Sequence, residues 1–160
     1  MSSVFALLCA LLFNLVSSVA TPGPVPTLPQ SRVTSRVDLA QIQFVVPGKV
    51  TIGKTFRVLD EVENQGESLA FQTVTGFYLS VDDVLDDGDI VVGGRRAPQL
   101  GSNQSHSTTT PVTLKPDIKP GDYYLLAVAD AKRDIEERTR ENNVRAVRIT
   151  VLPAEQKKKK

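Results

Sequence analysis

Tryptophan is absent from this chain of 160 residues, and cysteine, methionine and histidine occur once each. The single cysteine, Cys9, lies in an apolar N-terminal run, so no internal disulfide can brace the rest of the chain. Stability must therefore come from core burial, which about 115 residues supply if the apolar pattern is regular. One histidine and one cysteine cannot assemble the usual nitrogen and sulfur ligands of zinc. No apolar run reaches the ~20 residues of a membrane-spanning helix. Nor is there a basic face with interleaved aromatics, which argues against nucleic acid as a partner. Of the formal net charge of +1, Lys157 to Lys160 contribute four positive charges, so the remainder carries −3.

What is present begins with Val4 to Val16, apolar except for Asn14, leading into Ser17-Ser18-Val19-Ala20. Small residues at Ser18 and Ala20 satisfy the rule for signal peptidase, which predicts a helical signal peptide over residues 1–20 cleaved between Ala20 and Thr21. No Lys or Arg precedes the run, so the amino terminus alone supplies the positive end. The expected compartment is secreted or cell-surface associated, with no stable membrane span after cleavage. An exported domain without disulfides fits a bacterial or archaeal surface protein better than a small disulfide-stapled animal domain. Residues 21–35 are a Pro-rich linker, since each proline removes a backbone donor and fixes its own φ.

From Asp38 the chain changes to short β-branched and aromatic runs broken by Gly, Pro, Asn and Asp, the rhythm of an all-β sandwich. Strands are expected at Asp38 to Val45, Thr55 to Glu63, Gln72 to Ser80, Ile90 to Pro98, Ser105 to Leu114, Gly121 to Ala129 and Arg145 to Leu152. The fold class is thus all-β, a seven-stranded antiparallel immunoglobulin-like β-sandwich over residues 36–152, with a Lys-rich tail at 153–160. In the second strand Phe56, Val58, Asp60 and Val62 alternate with Arg57, Leu59 and Glu61 and point toward a core, Asp60 being expected near the rim. In the sixth both faces are apolar, as for a central strand covered on each side. Turns are expected at Pro47-Gly48, Asn64-Gln65-Gly66, Asp87-Gly88, Gly93-Gly94, Pro120-Gly121 and Asn142-Asn143. One helical turn or two could form over Asp134 to Glu141, with Ile135 turned inward.

The order of several pieces carries a family resemblance. They are Gly53 to Phe56, Val58, Val62, Asn64 and Gly66; Gly76-Phe77-Tyr78-Leu79-Ser80 with Asp82, Leu85 and Asp89; Val112-Thr113-Leu114; Pro120-Gly121 with Tyr123-Tyr124; Ala129-Asp130; and Glu137, Glu141, Asn142 and Asn143. Over about residues 36 to 152 the chain resembles the CARDB domain, the cell-adhesion-related module of bacterial and archaeal surface proteins. The resemblance implies an immunoglobulin-like sandwich, no enzymatic activity, and a role as an adhesion or spacer module. The expected function is therefore a non-catalytic binding module for a surface protein or glycan. The alternative is a structural spacer, free-standing or cut from a larger surface protein, with no ligand of its own.

Candidate chemistry is sparse. Asp82, Asp83, Asp86, Asp87 and Asp89 would repel one another unless water or a cation relieves them. The EF-hand pattern fails, because aligning Asp87-Gly88 to its fifth and sixth places puts Leu85 at a ligand position and Gly94 where the bidentate Glu belongs. A solvated loop with Asp side chains bonding local backbone is expected; if calcium is bound, Asp83, Asp87 and Asp89 are the ligands. No other cofactor is implied. Asn142 and Asn143 are expected to close the turn into the last strand by bonding backbone, with Glu137, Glu141 and Asp130 nearby. His106, among serines and threonines, is expected to be a solvent-facing strand residue, since no nucleophile-elbow motif surrounds those serines and a hydrolytic triad needs a carboxylate-held His. Asn103-Gln104-Ser105 is a formal glycosylation sequon. Of Tyr123 and Tyr124, at least one is expected to be buried with its hydroxyl on nearby backbone.

Overall fold

The computed structural model describes residues 35–156. The signal peptide with its Ala20–Thr21 cleavage site, all but the last residue of the Pro-rich linker, and Lys157 to Lys160 lie outside the described residues. Eight strands form: β1 Leu39–Val45, β2 Lys49–Thr51, β3 Thr55–Asn64, β4 Thr73–Ser80, β5 Ile90–Ala97, β6 Ser105–Thr113, β7 Gly121–Val128 and β8 Val144–Leu152. They make two sheets, β1-β3-β6 and β2-β8-β7-β4-β5.

Seven of these follow the sequence pattern to within a residue or two. The eighth, β2, corrects the seven-strand antiparallel expectation: it is three residues long, too short for an alternation to show, and pairs parallel to β8 through Lys49↔Thr150 and Thr51↔Leu152. Its central Val50 is buried, and Ile52 N–H continues the pairing onto Leu152 O at 3.1 Å.

Period-two alternation in β3 sends Val58, Asp60, Val62 and Asn64 inward. Asp60 is fully buried, not at the rim, because Arg95 reaches it from the opposite sheet. The larger core gathers thirteen buried residues, with Phe44 and Phe77 stacked at 5.9 Å between the sheets. Each large aliphatic or aromatic side chain buried there contributes roughly 1.5–3 kcal/mol. A smaller cluster of Val37, Leu39, Val62, Ala70, Leu100 and Ala129 closes one end, and Ile135 packs on it.

Central β7 is buried on both faces from Leu125 to Val128. Leu125 and Ala127 enter the larger core. Leu126 lies between Tyr78 and Ala146 on the outer face.

Two further expectations are overturned. Gly93-Gly94 is no turn; both lie inside β5, opposite Phe77 and Gly76, beside a bulge at Val92. A Cβ at Gly94 would come within 2.9 Å of Thr75 O, so the position needs glycine for close backbone approach. Asp134 to Glu141 is not helical. Its amides have better partners: Asp134 and Ile135 donate to the Asp130 carboxylate at 3.0 and 3.1 Å, and Arg138 N–H donates to Val37 O at 2.8 Å.

Candidate functional site

The connection from Ala129 to Asn143 is built on buried polar groups. Asp130, 1% exposed and at φ 44°, takes two backbone N–H bonds and the Arg140 guanidinium at 3.1 Å. Arg140 also binds Glu137 Oε1 at 2.8 Å and donates to Ile135 O. The buried Glu137 carboxylate further accepts Leu39 N–H at 2.8 Å and Asn143 Nδ2 at 2.9 Å. Burial lifts the Glu137 carboxyl above the ordinary glutamate value of 4.5; the Asn143 bond, the Leu39 amide and Arg140 offset this in part, and Asp130 adds to it.

Asn143 is 3% exposed; its Nδ2 also reaches Ala129 O at 3.2 Å, while its N–H donates to Arg140 O. Asn142 Nδ2 donates to Asp38 Oδ1 at 2.8 Å, and Asp38 Oδ2 holds Arg138 at 2.5 Å. Asn143, Glu137 and Asp130 thus share one network through Arg140, and Asn142 joins a second with Asp38 and Arg138; both tie this connection to the entry of β1. Glu141 is exposed and contributes only its amide, to Thr139 Oγ1. Asp38 is a network member that sequence reasoning missed, because at a strand start it reads as an ordinary polar flank.

The Asp-rich loop folds on itself. Asp82 Oδ1 accepts Val84 N–H at 3.0 Å, Asp86 Oδ1 accepts Gly88 N–H at 2.7 Å, and Asp89 Oδ2 accepts Asp86 N–H at 3.0 Å. Among the described residues no group of three or more His, Cys, Asp or Glu side chains is placed to hold a metal ion, and Asp83, Asp87 and Asp89 form no such group.

Where this loop meets the Ala129–Asn143 connection, an open cleft of about 370 Å³ forms on the outer face of the five-stranded sheet. Val84, Leu85, Val128, Ala131 and Val144 line it, with Asp83 on one side and Arg133 and Arg140 on the other. Arg133 holds a left-handed φ of 57°, its N–H on Asp130 O, so local strain at the cleft wall is fixed by the buried network beneath. Its mostly apolar lining, with a few charged groups, has the composition of a ligand site.

His106 turns inward opposite Val62, correcting its expected solvent-facing position. Arg95, whose side chain is 6% exposed, binds Asp60 through Nε at 2.8 and 2.9 Å and Nη2 at 2.5 Å, and its Nη1 lies 3.2 Å from His106 Nδ1. Since guanidinium only donates, that ring nitrogen accepts. The imidazole therefore leans on a cation rather than on a carboxylate or serine. Asn103 is exposed at φ 56°, and Tyr123 packs on the larger core with its hydroxyl donating to Lys119 O at 3.1 Å.

The CARDB family pattern matches residues 36–147. The chain is also similar in fold to the crystal structure of a Pyrococcus furiosus CARDB domain in complex with di-metal ions, at TM-score 0.55 and 20% identity over 72% of this chain and 89% of that one. A solution structure of the Pyrococcus furiosus domain matches at TM-score 0.55 and 21% identity, covering 72% and 95%. A β-glucosidase from Erythrobacter marinus matches at TM-score 0.49 and 16% identity, over 72% of this chain and 16% of that enzyme. No curated protein matches the sequence.

Proposed function

The chain belongs to the CARDB family, and from that premise we propose that it is a non-catalytic binding module, exported to the cell surface or medium, that engages a surface protein or glycan. The observation that carries this reading is the cleft between the Asp-rich loop and the Ala129–Asn143 connection. A module that only spaces its neighbours has no use for a preformed apolar cleft with charged groups on its walls. The chemistry available there is recognition. Asp130, Glu137 and Arg140 satisfy one another, leaving Asp83 and Arg133 on the walls to orient a ligand over Val84, Val128 and Val144.

The test is a glycan and peptide array probed with residues 21–160, in millimolar calcium and in chelator. Arg133→Glu and Val84→Asp, both at exposed positions, are expected to reduce the signal about tenfold, ~1.4 kcal/mol, while Val45→Asp on the far sheet leaves it unchanged. The signal is expected to survive chelation; its loss there would reinstate calcium at Asp83, Asp87 and Asp89. An array with no hit, or one indifferent to both cleft variants, would favour the spacer.

A further inference from the structure

Among the described residues, four of the eight large hydrophobic residues that remain exposed fall between positions 81 and 91, at Val81, Val84, Ile90 and Val91. The last two belong to β5, whose one ladder partner among the described residues is β4; β6 of the other sheet lies beside it, held by Arg95 donating to His106 O, but forms no ladder with it. Open edges are usually blunted by proline, charged side chains, bulges or brevity. The neighbouring edge strand β6 carries Pro111, and β2 is three residues long. Like the seven-residue edge strand β1, β5 has neither proline nor lysine over its eight residues; its charges are Arg95, turned inward onto Asp60, and the outward Arg96.

Its sequence is complementary to itself. The bulge brings the consecutive residues Val92 and Gly93 to the same, inward face: Gly93 lies opposite Phe77, and Val92 packs on the larger core. Ile90 and Arg95 are inward too, opposite Leu79 and Thr75, whereas Val91, Gly94 and Arg96 face outward with Tyr78, Gly76 and Val74. A bulge turns many edges away from partners, but this one sits at the centre of the strand. A twofold axis between Val92 and Gly93 would pair Val92 with Gly93, Val91 with Gly94 and Ile90 with Arg95, each pair sharing a face. The same register sets Asp89 of one copy against Arg96 of the other, twice. Arg96 is exposed and has no ion pair among the described residues.

We propose that β5 is a self-association edge at which two copies of this chain pair antiparallel, joining their five-stranded sheets into one and covering Ile90 and Val91. Opposite charges at both ends of the paired strands select this register and make the dimer weaken with salt.

Sedimentation equilibrium of residues 21–160, from about 10 μM to about 1 mM, is the test. A reversible dimer is expected. Val91→Lys, at an exposed position outside any hydrogen bond of the loop, should raise its dissociation constant about tenfold or more. Asp89→Arg and Arg96→Asp should each weaken self-association by like-charge contact, and mixing the two variants should restore a mixed dimer of near wild-type affinity. A monomer throughout the range, a dimer indifferent to Val91→Lys, or a mixture no tighter than either variant alone would overturn the proposal.

Discussion

Asn143 shows how one amide can hold a junction. Its Nδ2 supplies both Ala129 O and Glu137, and Ala129 N–H returns to Asn143 O at 2.9 Å. Asn143→Ala should cost about 1–2 kcal/mol, read from the urea midpoint, because two buried acceptors lose a donor. Glu137 makes the pH dependence of that network predictable. A carboxyl raised above its unfolded value binds its proton more tightly when folded, so its contribution to stability is present at low pH and declines as pH rises from about 4.5 through the folded value. Wild type should therefore lose ground relative to Glu137→Gln as pH rises through that window, measured as the difference in urea-derived stability. Removing Arg95 with Arg95→Ala strands Asp60 in the core and should cost ~3–5 kcal/mol, whereas Asp60→Leu with Arg95→Met should be far milder. None of this pairing was visible in the sequence, where Asp60 is only a break in an apolar alternation and Arg95 stands 35 residues away.

Elements were legible in proportion to their length and periodicity. The ten residues of β3, broken only at Asp60, and the nine of β8 carry enough of the period to define both strands. The three of β2 carry no period, so only the parallel partner β8 defines it. Gly93-Gly94 reads as a turn by composition but serves a strand that lies too close to Thr75 for any side chain. Gly94→Ala should accordingly destabilise by about 1–3 kcal/mol, seen as a lowered urea midpoint, since backbone rather than a movable side chain opposes the new methyl. The Asp134–Glu141 segment has helix-like charge spacing, yet Asp130 and Val37 accept its amides before a helix can close. Helix propensity is a weak prior against such fixed partners.

At the scale of the whole molecule, the export expectation makes a direct prediction. Expression with residues 1–20 intact should yield secreted material whose mass begins at Thr21, and material beginning at Met1 would refute cleavage. The family, the all-β class and the disulfide-free core were determined by sequence alone, because turn residues, period-two patterning and the order of motif pieces are local properties that chain order preserves. The candidate site was legible only in fragments. Asp83, Asn143 and Asp130 stood out as residue types, but nothing in their spacing placed Asp83 across a cleft from Arg133. That cleft, the Asp60–Arg95–His106 cluster and the open edge of β5 depend on which strands neighbour which and on how loops fold over sheets. Such contacts join residues distant in sequence, so only the tertiary structure decides them: a side chain's partners follow from the packing of two sheets, and no local pattern encodes that packing.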